Sequence, residues 1–224
     1  MTPMPEMTDL ETARAEAAIT RLAADERMAR DTGQWDLMHA SYHDESHVRV
    51  FWFNGTGHDF IEASRNMTAP DQKWSSSIHV VGPTSVKLQG HRAIADTGCT
   101  VHGRLLITDV EVDHTIFVRH RSMVERDGDG AWKLRSFRAC YQRDAFTPTI
   151  PGETLPIDKE RLATFRQSYK FMSAFMDLMG AEADRTLPGI DRPDLIDSLI
   201  AEEEAWLAGG TYTPKLSSQA EGKA

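Results

Sequence analysis

Between Leu10 and Arg30 the apolar positions recur at helical spacing, with Leu10, Ala13 and Ala17 followed by Ile19, Leu22 and Ala23. The segment is rich in Ala, Glu and Arg and holds no Gly or Pro, so the pattern predicts one long amphipathic helix. Asp31-Thr32-Gly33 ends it, with Gly33 near the C-terminal capping position. Trp35 to Tyr42 reads as a second, short helix. His47 to Phe53 changes to strand composition and is expected to close in a turn at Asn54-Gly55. Asp59 to Met67 returns to helical spacing, and Thr68 to Asp71 breaks it.

The next seventy or so residues alternate as strands do. Ser75 to Leu88 ends at Gln89-Gly90, and His91 to Thr108 follows at once. Glu111 to Arg126 ends in Asp127-Gly128-Asp129-Gly130, and Ala131 to Asp144 returns. Four consecutive strands joined by tight turns predict an antiparallel meander. Pro148, Pro151 and Pro156 then mark a linker. After it, Asp158 can cap a helix striped by Leu162, Phe165, Tyr169, Met172, Met176 and Met179, read as packing onto the sheet or against a second subunit. Pro188 to Pro193 is a turn, Asp194 to Leu207 a last amphipathic helix, and the polar tail after Gly209 is expected to be disordered. Helices first, a curved antiparallel or mixed sheet second and a helical appendix third define an α+β fold. Such a bent sheet closed by helices leaves a cone-shaped cavity suited to a small molecule. Residues 1–147 would form the cone domain, 148–208 the linker and helical extension, and 209–224 the tail.

Charge narrows the function. Against 34 Asp and Glu stand 25 Lys and Arg, a formal charge of −9, which leaves no basic excess for a nucleic-acid backbone. No apolar stretch approaches the roughly 18 to 20 residues of a membrane helix, and Met1 to Asp9 lacks the basic and apolar runs of a secretory signal. The expectation is a cytoplasmic protein with two reduced thiols, Cys99 and Cys140. Nine histidines raise the question of a metal. His39, His43 and His47 follow at intervals of four, but no HExxH pattern and no completing Cys or Glu accompanies them, so no metal site is expected. His114 and His120 share strand parity, yet six residues at strand rise is about 20 Å, too far for joint ligation.

The long helix ending in Asp31-Thr32-Gly33-Gln34-Trp35-Asp36, the aromatic cluster after it, Ile78-His79-Val80-Val81 opening a long strand, and Gly130-Ala131-Trp132-Lys133-Leu134 returning toward Arg143-Asp144 resemble the SnoaL-like branch of the nuclear-transport-factor-2-like superfamily. The resemblance covers roughly Leu10 to Asp144. Phe165 to Tyr169 and Leu187 to Pro193 look like an extension carried by a subset of these bacterial proteins. The superfamily includes scytalone dehydratase, polyketide cyclases, ketosteroid isomerase, lignin-dimer formaldehyde lyases and small subunits of ring-hydroxylating dioxygenases. The resemblance therefore implies a cofactor-independent lyase acting by acid-base catalysis on a small aromatic or polycyclic substrate, by dehydration or by retro-aldol loss of formaldehyde from a lignin-derived diaryl compound. It equally admits an isomerase or cyclase, a non-catalytic dioxygenase subunit, or a ligand-binding module. A homo-oligomer, dimer or trimer, is implied as well.

His79 and His102 resemble the two cavity histidines of scytalone dehydratase in strand placement. With the turn at Gln89-Gly90, His79 falls opposite Thr100 or Val101, so His102 is one or two residues from that position. If both share a face, they could divide the work of base and acid. Otherwise they are ordinary surface or hydrogen-bonded strand residues. The dehydratase also carries an Asp seven positions before the Trp, where this chain has Met28. Here a carboxylate stands at Asp31, four before Trp35. Asp31 can orient an imidazole or simply serve the helix-end turn. Arg104 shares parity with His102 and could bind a phenolate or carboxylate, or be a solvated strand residue. Tyr42, Trp52 and Tyr141 could line an aromatic pocket or belong to the core.

Overall fold

A computed structural model describes residues 7–67 and 77–214. The start of the chain, the expected break at Thr68–Asp71, the start of the strand expected from Ser75 and the part of the tail from 215 onward lie outside the described residues. The first residues of the tail expected to be disordered after Gly209 are instead held to the fold, with the Tyr212 hydroxyl 2.8 Å from His47 Nδ1. Helix α1, Asp9–Thr32, begins with a capping box in which Thr8 and Glu11 satisfy each other's backbone N–H groups. It ends at Gly33, whose φ of +68° is the left-handed conformation that glycine adopts without a Cβ penalty. Helix α2, Trp35–Ala40, follows, then strands β1, Tyr42–Val50, and β2, Phe53–Thr56, and helix α3, Gly57–Met67.

Strands β3 (Ile78–Gln89), β4 (Arg92–Ile107), β5 (Val110–Arg126) and β6 (Trp132–Pro148) form the expected antiparallel meander. The six-stranded sheet has the order β2-β1-β6-β5-β4-β3, and β1 runs parallel to β6, so the sheet is mixed. Register shifts at Val81/Thr84, Phe117/Val118 and Met123/Val124 mark bulges. Each adds a residue to one strand and bends it, which is how a long meander curls around a cavity. The inner face packs against α1, α2 and α3 through Ile19, Ala29, Met38, Tyr42, Phe60 and Phe137, all buried.

Three local expectations are corrected. The second helix stops at Ala40, and Tyr42 opens β1. The hairpin turn falls at Phe51-Trp52, while Asn54 and Gly55 pair with Arg49 and Val48. Tertiary contacts override the Asn-Gly signal there: Phe51 N–H donates to the Tyr141 hydroxyl at 2.8 Å, and Trp52 packs on Phe53 and Phe60. Gly55 lies under the Phe53 ring, where a Cβ would come within 2.9 Å.

The helix expected from Asp158 is three pieces: α4 (Lys159–Ala163), a 3-10 turn (Gln167–Tyr169) and α5 (Lys170–Leu178). Arg166 interrupts it in an extended conformation, with its guanidinium held by Asp191 and by the carbonyls of Arg185 and Leu187. Of the stripe, Met172 and Met176 pack inward on the cavity, while Met179 is exposed. Helix α6, Pro193–Leu207, covers the outer face of the sheet, where Trp206 and Leu207 meet Ile94 and Met123. Its buried Glu203 accepts from Arg121 Nε at 2.8 Å and from Arg138 at 2.9 Å. The C-terminal extension therefore clasps both faces of the sheet. No described helix is long and apolar enough to cross a membrane.

Candidate functional site

Strand alternation assigns the cavity lining. On β4 the inward positions are Val101, Gly103 and Leu105; on β5 they are His114, Ile116, Val118 and His120; on β6 they include Phe137, Ala139 and Tyr141. Phe51, Trp52 and Phe60 close one side, and Met172, Phe175 and Met176 of α5 close another. The space is about 320 Å³, and its polar groups are few: Arg27, Arg30, Ser77, Tyr141 and the three histidines 79, 114 and 120. A mainly apolar chamber with a few converging polar groups is the usual form of a small-molecule site.

His79 lines this cavity, and Asp31 holds it from behind. Asp31 sits on the last turn of α1 and His79 on the second residue of β3. The His79 backbone N–H donates to Asp31 Oδ2 at 2.7 Å, and Nδ1 lies 2.6 Å from Oδ1. An ionised carboxylate only accepts, so the ring proton is on Nδ1 and the Nε2 lone pair is available. Burial pushes the His79 imidazole down to about 4; Arg27 and Arg30 add to that, and the bond to Asp31 opposes it. Burial would raise the Asp31 carboxyl, but its hydrogen bonds and charge interaction with His79, with Arg30 adding, hold it below the usual carboxylate range.

Two buried guanidiniums flank the pair. Arg27 is ion-paired with fully buried Glu26, which also accepts from the Tyr42 hydroxyl at 2.7 Å. Its guanidinium lies 4.5 Å over the Phe137 ring. Arg30 donates to Ser77 at 2.9 Å, and its Nε–H is buried with no hydrogen-bond partner among the described residues. Burial, with Arg27 nearby, brings Arg30 down to about 10. His120 lies 6.4 Å from His79, ring centre to ring centre, and burial first, then Arg27, His79 and Arg30, hold it well below the ordinary histidine value. At neutral pH both imidazoles are uncharged. The site can therefore accept a proton at His79 Nε2 and stabilise developing negative charge at Arg30.

The structure brings together Asp31, His79, Trp52 and Tyr141 and leaves three other expected residues outside. His102 is exposed on the outer face, with Nδ1 3.3 Å from Thr115 Oγ1. The reason is register: His79 pairs with Val101, and the next residue of a strand points to the opposite face. Arg104 follows the same parity outward and donates to Asp113 at 2.9 Å. Tyr42 is buried beneath the cavity, where it serves Glu26. His39 lies on α2 and meets His58, nineteen residues on, at 3.1 Å, while His43 and His47 lie on β1. Among the described residues no three His, Cys, Asp or Glu side chains are gathered as metal ligands. Sequence reasoning missed Arg27, Arg30, His114 and His120 as lining residues. The signals were present: Arg27, Arg30 and Asp31 stand at i, i+3 and i+4 on one helix face, and the two histidines share strand parity.

Comparison with known proteins agrees with this architecture. The chain is 27% identical over 168 residues to an uncharacterized protein of Emericella nidulans, spanning 71% of this chain and 69% of that one. It is 25% identical over 190 residues to a PEP2-like protein of Fusarium vanettenii, covering 80% of each. Among solved structures it superposes on the hexachlorocyclohexane dehydrochlorinase LinA-type3 of Novosphingobium barchaimii with a TM-score of 0.52 and 20% identity, over 67% of this chain and 100% of that one. A candidate scytalone dehydratase of Novosphingobium aromaticivorans gives 0.51 and 18%, over 68% and 99%. At these identities the likeness to solved structures shows the fold, a curved mixed sheet with helices on its inner side. Residues 11–138 match the family described as SnoaL-like domain, and the chain belongs to that family.

Proposed function

We propose that this protein is a cofactor-independent lyase in which His79, oriented by Asp31, removes a proton from a small, largely apolar substrate. The observation that carries the reading is His79, held from behind by Asp31, on the wall of a mainly apolar cavity. His79 Nε2 takes a proton from carbon, the released electron pair forms the new double bond, and the leaving group departs from the adjacent carbon with its own bonding pair. Neutral His120 can donate an N–H bond to the departing atom, and the Arg30 Nε–H can bind an oxygen that gains charge. Asp31 stabilises the imidazolium formed at His79 and fixes its tautomer.

The reading is in keeping with the family, which this chain shares, and with the names of the dehydrochlorinase and dehydratase whose fold it resembles. The ring-rich walls, Phe51, Trp52, Phe60 and Phe137, favour an aromatic substrate. Dehydration and retro-aldol loss of formaldehyde from a lignin-type diaryl diol both begin with a proton taken by a neutral base, and both suit this site. In the retro-aldol case the proton comes from a hydroxyl, the carbon–carbon bond breaks to release formaldehyde, and its electron pair forms the new double bond as the hydroxyl on the adjacent carbon leaves with its own bonding pair.

The test is turnover by chelator-treated protein of a panel holding a diaryl diol, a cyclic β-hydroxyketone and a hexachlorocyclohexane, followed by mass spectrometry. Turnover of at least one member that survives chelation and collapses in His79→Ala supports the reading. Absence of turnover across the panel, or activity indifferent to His79, overturns it.

A further inference from the structure

The cavity holds a second carboxylate-held imidazole that the proton transfer above does not use. His114 lies six residues before His120 on β5 at the same parity, so it faces the same space roughly 20 Å further along the strand at ~3.3 Å per residue. Its Nε2 is 3.3 Å from Asp144 Oδ2. The Asp144 side chain is fully buried and also accepts the backbone N–H groups of Phe171, at 3.1 Å, and Met172, at 2.6 Å, at the start of α5. With Nε2 turned to a carboxylate that already accepts two backbone N–H groups, His114 places a proton on Nε2, and in its neutral form the lone pair is on Nδ1.

That lone pair has no hydrogen-bond donor among the described residues, and space is left beside it. The residue opposite His114 on β4 is Gly103, where a Cβ would meet nothing within 4 Å. Phe146 stands edge-on to the imidazole at 4.7 Å, and Phe175 lines the same end. The two ends of the cavity are thus chemically distinct. One presents a base with two guanidiniums, the other a hydrogen-bond acceptor among aromatic rings.

We propose that His114 is a specificity-determining binding residue whose Nδ1 accepts a hydrogen bond from a hydroxyl at the far end of an elongated aromatic ligand. The ligand's reacting end then lies at His79, and in that respect the inference rests on the lyase reading. The binding itself does not, because it can be measured without turnover. Asp144 acts through His114 as a positioning residue, fixing its tautomer and joining it to α5. Gly103 keeps open the room that the hydroxyl-bearing ring occupies.

Calorimetric titration with biphenyl and with 4-phenylphenol, which differ by one hydroxyl, tests it. The wild type is expected to bind 4-phenylphenol ~3- to 10-fold more tightly than biphenyl, the range of one hydrogen bond. His114→Phe should bring that ratio to about one while leaving biphenyl affinity within about twofold, and His114→Asn, which keeps an acceptor near Nδ1, should restore part of it. Gly103→Val should weaken both probes. A ratio unchanged in His114→Phe, equal loss of both probes in that variant, or no binding of either probe by the wild type overturns the proposal. Discrimination through His114 in a protein without any turnover would leave this inference standing and remove the lyase reading. Turnover dependent on His79 with no such discrimination would do the reverse.

Discussion

Asp31 holds His79 by two atoms at once, accepting the backbone N–H at 2.7 Å and meeting Nδ1 at 2.6 Å. A single contact would fix only the ring's position; the two-point hold also fixes β3 against the end of α1. Exchanging Asp31 for Asn keeps a similar shape but offers the ring a donor or an acceptor, so the tautomer is no longer imposed. Asp31→Asn is expected to lower kcat by ~10²-fold or more with KM changed little, as found where the orienting carboxylate of a triad is replaced. Steady-state kinetics on a turned-over panel substrate measures it. A change in KM alone would indicate a binding role instead.

The pH dependence follows from the direction of the His79 shift. In the unfolded chain the ring titrates near ~6.5, whereas the folded value is about 4, so the folded state binds fewer protons between these values. The stability contributed by the neutral ring is complete above pH 6.5 and is lost as pH falls toward 4, by about 3 kcal/mol at most. Urea unfolding at pH 7.5 and 4.5 should show a smaller acid loss for His79→Gln than for the wild type. The acid limb of kcat/KM should lie near pH 4 to 5 instead of 6.5, because the base stays deprotonated that far down.

Stability at the site's foundation rests on Glu26 and Arg27, with side chains 1% and 4% exposed. Removing one partner of a buried pair leaves the other charge unmatched, at a cost of ~3–5 kcal/mol. Glu26→Gln should therefore lower the unfolding midpoint strongly. Tyr42→Phe removes only the hydroxyl that donates to Glu26, at ~1.5–3 kcal/mol. Thermal unfolding of both variants checks the order, and a Tyr42→Phe protein less stable than Glu26→Gln would contradict it.

The outer clasp gives a further stability test. Trp206 is 2% exposed and packs on Ile94 and Met123, with Arg92 4.8 Å over its ring. Trp206→Ala is expected to cost ~3–5 kcal/mol by leaving a cavity between α6 and the sheet. Chemical denaturation measures it. A loss under 1 kcal/mol would mean that α6 contributes little to holding the sheet.

Much of the fold was legible because its signals are local. Gln89-Gly90 and the Asp127–Gly130 run both sit at hairpin turns, and Gly33 ends α1 as its composition requires. Where a tertiary contact competes, local chemistry loses. Asn54-Gly55 became strand because Phe51 is held by Tyr141 and Trp52 by neighbouring rings. The helix after Asp158 broke because Asp191, twenty-five residues on, captures Arg166.

The site was half legible. Asp31 and His79 are each marked by position, at a helix end and a strand start. Whether His102 joined them depended on a single residue of register, which fixes the face absolutely and which turn signals define only to within a residue. The parity of His114 and His120 was readable, but that it faced inward required knowing which side the helices cover.

The central claim is that His79, and not the pair His79 and His102, carries the proton transfer. Rates of His79→Ala and His102→Ala measured side by side on the best panel substrate test it most directly. The expected result is a loss of ~10²- to 10⁴-fold for His79→Ala and a rate within about twofold of wild type for His102→Ala, which is exposed on the far face of the sheet. Comparable losses in both variants, or full activity in His79→Ala, would contradict it.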